Sequence, residues 1–179
     1  MFRFAFVGSV ILMLTSGATA AEEVEAPILV DLFVNTCMRR PALPSELDRI
    51  ASQLGFVSEN GAISVELESG PKIDILYFAK LMVRGEKVGI SAFFYGPIEA
   101  PTVSCKVGSL KASTDGLPEL IEQSVETYER SEKVIADGNG LQTKWRLRAG
   151  DSGDTLELRS YQHPAPRASI NIEYLGAKR

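Results

Sequence analysis

Residues 73–83 read IDILYFAKLMV, and after the short segment RGEK (84–87) residues 88–95 read VGISAFFY. In the first stretch apolar side chains recur at every second position, which is the period of a β-strand. The alternative is a buried helix that begins at Pro71, because the stretch also has apolar residues on its other side. We favour the strand, because residues 84–87 then form a turn into a second apolar strand.

Other segments show the same period of two and are separated by glycine-rich or proline-rich turns. A meander of antiparallel strands is predicted for the second half of the chain. The remaining predicted strands are Ile63–Leu67, Thr102–Val107, Leu141–Arg148, Thr155–Tyr161 and Ala168–Leu175.

Three segments instead carry apolar residues at helical spacing, at residues 28–37, 44–54 and 117–128. Ser45 and Asp48 are expected to cap the second helix, and Asp115 the third. The predicted fold is therefore α+β, with one or more antiparallel sheets packed by about three helices, in the order helix-helix-strands-helix-strands.

The two halves of the chain also suggest an internal duplication. Leu43-Pro-Ser-Glu-Leu resembles Leu117-Pro-Glu-Leu, and the proline segment 95–101 before one strand resembles the proline segment 161–166 before another. The alternative is that any two α+β halves look alike at this level of detail.

The first twenty residues are typical of a secretory signal peptide rather than of a folded segment. Arg3 precedes an apolar run of eleven residues, and Ala18-Thr-Ala20 is a small-residue cleavage site. The run is about half as long as a membrane span requires. We therefore predict a signal peptide at 1–20 and a single α+β domain at 21–179, with no membrane-spanning segment and a periplasmic or secreted location.

Cys37 and Cys105 are the only cysteines, and both lie in the predicted mature chain. In an oxidising compartment a pair of cysteines favours one disulfide bond. A metal-binding pair or a catalytic thiol is the functional alternative, but no C-x-x-C spacing supports it. We predict a Cys37–Cys105 disulfide.

The 179-residue chain is 45% apolar and has a net charge of −4, which becomes −5 when the predicted leader and its one basic residue are removed. This composition argues against a disordered chain and against a dedicated nucleic-acid binder. No phosphate-binding loop precedes a helix, and no ligand spacing suggests a metal. We therefore expect no cofactor, no metal and no nucleic-acid partner.

Few residues are arranged for catalysis. His163 is the only histidine and lies in a proline-rich stretch, so a serine nucleophile would have one possible histidine base. Pairs of carboxylates such as Glu66 with Glu68, or Glu119 with Glu122, have the spacing of exposed faces. We predict no catalytic residues, although a carboxylate-dependent hydrolase of the cell envelope stays open as an alternative.

Basic and aromatic residues form the candidate binding surface. Lys144, Arg146 and Arg148 share one strand face, and Arg159 and Arg167 would lie on neighbouring strands. The alternative is a ladder of ion pairs with Glu157 and Glu173. The predicted binding residues are Lys144, Arg146, Arg148, Tyr95, Tyr161 and His163.

The segment Phe33-Val-Asn-Thr-Cys37, with Ser104-Cys-Lys-Val107, resembles small exported proteins of Gram-negative bacteria that begin with a helical Phe-x-x-x-Cys element. The resemblance implies an exported α+β domain held by a disulfide, and no catalytic residues. Together with the residues above, it favours a non-enzymatic module that binds an envelope protein or an anionic envelope component.

Export predicts a defined processed form. The intact mass of the protein recovered from outside the cytoplasm should equal that of residues 21–179. Signal peptidase recognises small residues such as Ala18 and Ala20 and cleaves once, after Ala20. The variant Ala20→Arg should keep the leader. Recovery of the full 179-residue mass from the wild type would contradict this prediction.

Overall fold

One antiparallel sheet of eight strands dominates the computed structural model, which describes residues 23–64, 72–97, 100–135, 139–147, 154–162 and 166–175. The α+β class with an antiparallel sheet is thereby confirmed. The elements are α1 (Ala26–Asn35), a 3-10 turn (Cys37–Arg39), α2 (Pro44–Gln53), β1 (Val57–Ser64), β2 (Lys72–Val83), β3 (Glu86–Pro97), β4 (Thr102–Ser109), α3 (Leu117–Ser124), β5 (Thr127–Val134), β6 (Gly140–Leu147), β7 (Thr155–Tyr161) and β8 (Arg167–Leu175).

The strand order β1-β2-β3-β4-β8-β7-β6-β5 consists of two four-stranded meanders that meet where β4 pairs with β8. Each meander follows a short helix with a proline in its first turn, α2 or α3. In each meander a proline-containing segment also connects the third strand to the fourth.

The stretch 73–83 lies in β2, so the strand interpretation is confirmed and the helix alternative is wrong. β2 and β3 pair without a break from Val83 opposite Glu86 to Lys72 opposite Pro97. Arg84 and Gly85 connect them with φ of 50° and 85°. Positive φ at both central residues is the conformation of the tight turn that matches the twist of a hairpin.

The helices cover one face of this sheet. On the central strands alternate side chains point toward the helices and are buried, while those between them lie on the opposite face. The helix-side core is one continuous apolar cluster whose largest members include Phe33, Leu47, Phe94, Ile121, Trp145 and Ile170.

The predicted cap of α2 is wrong. Leu43 occupies the N-cap position without a side-chain hydrogen bond, and the carboxylate of Glu46 accepts a 2.8 Å hydrogen bond from the Ala42 backbone N–H. Asp48 accepts a 3.1 Å hydrogen bond from the Tyr77 hydroxyl of β2. A tertiary contact therefore uses the carboxylate that local spacing had assigned to the cap.

The third helix is shorter than predicted. Gly116, at φ 70°, holds the N-cap position that was expected for Asp115, and the helix ends at Ser124. Tyr128 lies on β5 instead of on the helix. The helical spacing of Val125 and Tyr128 is overridden because residues 127–134 pair with β6 and gain sheet hydrogen bonds.

Cys37 and Cys105 form a disulfide, as predicted, with their Cα atoms 5.5 Å apart. Both residues are fully buried, so the bond joins the 3-10 turn to β4 inside the core. Two further contacts hold the same region. The Tyr174 hydroxyl donates a 2.9 Å hydrogen bond to the Pro41 carbonyl, and Arg40 forms an ion pair with the buried carboxylate of Asp154.

Several predicted features lie outside the described residues, namely the leader 1–20, the end of the first strand at residues 65–67, the turn 150–153, Arg148 and His163. No helix in the described ranges is both long and apolar enough to cross a membrane.

Loss of the disulfide should destabilise the fold. The double variant Cys37→Ala/Cys105→Ala should lower the free energy of unfolding by about 2–5 kcal/mol, because the bond restricts a long loop in the unfolded chain. Urea denaturation followed by the fluorescence of the buried Trp145 measures this loss. Wild type unfolded and refolded with its thiols reduced is the control, and unchanged midpoints in both would contradict the prediction.

Two glycines of the sheet provide a matched pair of substitutions. A Cβ added at Gly108 would lie 2.9 Å from the Ser169 Cβ and 3.0 Å from the Ala168 carbonyl oxygen. Gly108→Ala should therefore destabilise the protein by about 1–3 kcal/mol. At Gly89 the nearest atom is 4.0 Å away, so Gly89→Ala should be neutral or stabilising by up to about 1 kcal/mol. Equal urea midpoints for the two variants would contradict the close approach of β4 and β8.

Candidate functional site

The face of the sheet opposite the helices is the candidate site, because no described element covers it. Leu76, Phe78 and Phe93 lie on this open face with more than a third of their surface exposed. Leu76 is directly opposite Phe93 in the register of β2 and β3. The three side chains form an exposed apolar border on the β2 side.

Small residues form the floor of a trough in the centre of this face. Gly89 on β3 is opposite Gly108 on β4, and Gly108 is opposite Ser169 on β8. Directly opposite residues point to the same face of an antiparallel sheet. These three neighbouring strands therefore have almost no side-chain volume at the positions where they are in register. The larger side chains around these positions rise above them and form the walls of the trough.

The trough contains two adjoining cavities. The larger has a volume of about 420 Å³ and includes Phe78, Leu110 and Tyr161 in its lining. The smaller, of about 260 Å³, shares Ser91, Lys106, Arg159 and Ser169 with the larger one. Ligand-binding pockets usually measure about 300–1,000 Å³, so the larger cavity alone could hold a small ligand.

Positive charge is concentrated in the larger cavity. Its described lining contains four cations, Lys87, Lys106, Arg159 and Arg167, and one carboxylate, Glu59. The chain as a whole carries a net charge of −4. The trough therefore has the opposite sign to the protein around it.

Two of the four cations already have carboxylate partners. Lys87 lies 3.0 Å from Glu59, which also contacts Lys80 at 2.9 Å. Hydrogen bonds from Lys80 and Lys87 lower the pKa of the Glu59 carboxyl. Arg159 pairs with Glu157 on its own strand.

The other two cations have no carboxylate partner in the described ranges. The exposed side chain of Lys106 has neither an ion pair nor a hydrogen bond within those ranges. The Arg167 guanidinium lies 4.3 Å from the centre of the Tyr161 ring, and its buried Nε lacks a hydrogen-bond acceptor. These two side chains are available to an anion.

Glu157 is the centre of a charged network beside the smaller cavity. Partial burial on its own would raise the pKa of this carboxyl. Hydrogen bonds from Gln142, Lys144 and Arg159 act against burial and leave the pKa below its ordinary value. The carboxylate is thus held in its ionised form.

Of the four predicted binding residues that the structure describes, Lys144, Arg146 and Tyr95 do not line the cavities and Tyr161 does. Lys144 pairs with Glu157 at 3.2 Å, and Arg146 pairs with Glu129 at 3.2 Å while well exposed. The alternative of an ion-pair ladder therefore describes both, although the partner of Arg146 is Glu129 and not Glu173.

The aromatic predictions divide between the two ends of the face. Tyr95 donates a 3.1 Å hydrogen bond to Glu173 and stacks on Phe93 with ring centres 5.1 Å apart. Burial and this hydrogen bond raise the pKa of Tyr95. Tyr161 lines the larger cavity.

Sequence reasoning missed the centre of the site. Arg159 and Arg167 were noted as possible neighbours of the basic strip, but Lys106 and the glycines of the floor were not. A usable signal was present, because Lys106 alternates with Cys105 and Val107 and so belongs to the polar face of its strand.

Catalytic arrangements find little support at this site. In the described lining of the two trough cavities the carboxylates are Glu59 and Glu157, and both have lowered pKa values. A general acid needs a raised pKa so that it carries a proton near neutral pH. Within the described ranges, no three His, Cys, Asp or Glu side chains come together as a metal site.

Comparison of the chain with protein families, characterised proteins and solved structures finds no match.

The lowered pKa of Glu157 makes stability depend on pH. A carboxyl with a lower pKa in the folded state stabilises the fold above its unfolded pKa, near 4.3, and this contribution is lost as pH falls through the folded pKa. Glu157→Gln should be less stable than wild type at pH 7, and the difference should shrink below about pH 4. Urea midpoints at pH 7 and pH 3 measure it.

Glu126→Gln is the matched control, because Glu126 is exposed and has no ion pair in the described residues. Its stability difference from wild type should be small at both pH values. A constant difference for Glu157→Gln at pH 7 and pH 3 would contradict the electrostatic origin.

Proposed function

We propose that this protein is a non-enzymatic binding module that acts outside the cytoplasm, in the periplasm or as a secreted protein, and that the open face of its sheet binds an anionic component of the cell envelope. The observation that carries the proposal is the pair of cations in the larger cavity, Lys106 and Arg167, that have no carboxylate partner in the described ranges.

Charge complementarity supports an anionic ligand. Desolvation of a cation is costly unless an opposite charge compensates it, so Arg167, which is partly buried and has no carboxylate partner in the described ranges, would gain from negative charge bound in the same cavity. A cluster of one sign also attracts oppositely charged ligands during diffusion. Because the surrounding protein is acidic, anions would be directed to the trough rather than to the rest of the surface.

The shape of the site supports a small component over an envelope protein. Stable protein partners usually cover about 800 Å² on each side, across a broad surface. The candidate site is instead a concave trough with cavities of about 420 and 260 Å³. A compact anionic molecule would fill such a trough better.

The buried disulfide and the leader-like N-terminus support the location. Disulfides persist in oxidising compartments and are rare in the reducing cytosol. The Cys37–Cys105 bond lies in the core, where it contributes to the fold rather than to exchange with other thiols.

We also infer that the two halves arose by duplication. In both halves a helix with proline in its first turn leads into a four-stranded meander, and a proline segment precedes the last strand. The trough lies across the junction of the two meanders, with Gly108 from one and Ser169 from the other. Duplication would thus have created the binding surface.

The proposal is tested by affinity capture with matched variants. Immobilised wild type is incubated with envelope extract, and the salt-eluted fraction is analysed by negative-ion mass spectrometry. Lys106→Met/Arg167→Met should reduce the captured anion at least about tenfold, because it removes the two cavity cations that lack a carboxylate partner in the described part of the chain. Lys144→Met/Arg146→Met removes the same charge at paired positions and should capture as wild type does. Equal capture by both double variants, or no specific capture by wild type, would contradict the proposal.

A further inference from the structure

The chemistry of the trough narrows the class of anion. Resting on the proposed function, we propose that the ligand is a free single-chain anionic amphiphile of the fatty-acid type. Its acyl chain lies in the larger cavity, and its acidic head group pairs with Lys106 where the two cavities meet.

The larger cavity is built for a hydrocarbon chain. Its wall is mostly apolar, and it includes Phe78 and Leu110, which are 37% and 77% exposed. Exposed large apolar side chains beside a cavity are a feature of binding surfaces, because covering them removes apolar area from water. A phosphate, a sulfated sugar or another wholly polar anion would leave this surface without a partner.

Arg167 contributes to the same apolar wall. Its guanidinium lies over the Tyr161 ring, 4.3 Å from the ring centre, and both residues line one side of the larger cavity. Long cationic side chains commonly cover apolar groups with their stems while the charge stays at the edge. Arg167 therefore borders the chain and keeps the cavity positive.

The length of the trough matches one acyl chain. Along β4 and the residue after it, the lining of the larger cavity extends from Lys106 to Leu110, a distance of about 14 Å at about 3.4 Å per residue. One acyl chain spans about half of a hydrocarbon core of roughly 30 Å. The chain and a compact head group therefore fit within the trough together.

Lys106 is the residue placed to bind the head group. It lines both cavities, and the smaller cavity beyond it has polar side chains, including Ser91, Ser104 and Asn171. The neighbouring Arg159 is already compensated by Glu157, whereas Lys106 has no partner in the described ranges. Lys106 is thus a cation without a carboxylate partner in the described ranges that lies between an apolar and a polar cavity, which suits a ligand with one acidic head and one tail.

The floor residue Gly89 allows the cavity to be filled without disturbing the sheet. A Cβ at this position meets no atom closer than 4.0 Å, and Gly89 lines the larger cavity. Gly89→Leu should therefore place its side chain in the space that the acyl chain would occupy. Its urea midpoint, compared with that of Gly89→Ala, shows whether the variant is folded.

The experiment measures binding of four probes to the purified exported protein by calorimetry. Dodecanoate has the long tail and the acidic head group. Hexanoate has the same head group on a shorter tail, and dodecyltrimethylammonium has the same tail length with a cationic head group. Phosphatidylglycerol vesicles present anionic lipid as a membrane. Dodecanoate should bind at least about tenfold more tightly than hexanoate, because hexanoate has six fewer methylenes. Dodecanoate should also bind at least about tenfold more tightly than the cationic amphiphile, because the head groups have opposite charges. Vesicles should not bind detectably.

Variants locate the two ends of the ligand. Lys106→Met should weaken dodecanoate binding about tenfold and remove the preference for the acidic head group. Gly89→Leu should weaken dodecanoate binding by a similar factor. Lys144→Met, in which a lysine paired with Glu157 is removed, should bind as wild type does.

The outcomes separate this inference from the proposed function. Equal affinities for dodecanoate and hexanoate, with both lost in Lys106→Met, would overturn the amphiphile and leave an anion site. Binding to vesicles without binding to dodecanoate would indicate that the open face binds a membrane surface, and it would also overturn the proposal of a free amphiphile. A Gly89→Leu variant that is folded and binds dodecanoate normally would exclude the larger cavity as the tail site. Absence of binding to every probe, together with absence of capture from envelope extract, would remove the proposed function as well.

Discussion

The pairing of β4 with β8 is the contact on which the rest of the structure depends. It joins the two meanders into one sheet and places Gly108 so close to Ser169 that even a Cβ at Gly108 would have to displace its neighbours. Because side chains alternate between the two faces of a strand, a slip of one residue would exchange the faces completely. Cys105 would then leave the core, and Lys106 would enter it.

β4 therefore serves two surfaces with opposite requirements. On the helix side, Cys105 is bonded to Cys37 and holds the N-terminal helical region against the sheet. On the open side, Lys106 and Gly108 belong to the trough. Packing against the helices and the disulfide holds the register, and the register in turn arranges the open face. Stability and the candidate site are thus properties of the same strand pairing, viewed from its two sides.

Local patterns accounted for much of the fold and for little of the site. The β2–β3 hairpin followed from alternation and a turn, and the disulfide from the cysteine count. The Asp48 cap and the helical position of Tyr128 were wrong because a tertiary hydrogen bond and a strand pairing outweighed weak local preferences. Lys144 stood out in the sequence, yet its charge is compensated by Glu157 from the neighbouring strand.

The sequence by itself determined which residues alternate, where the chain turns and which two cysteines could pair, because these depend on neighbours along the chain or on counting. Only the tertiary structure decided which cations are free and where the floor of the trough lies. Gly89, Gly108 and Ser169 become neighbours through pairings between strands that are distant in sequence. Whether a lysine is compensated depends on the strand beside it, and that neighbour is set by the topology of the sheet.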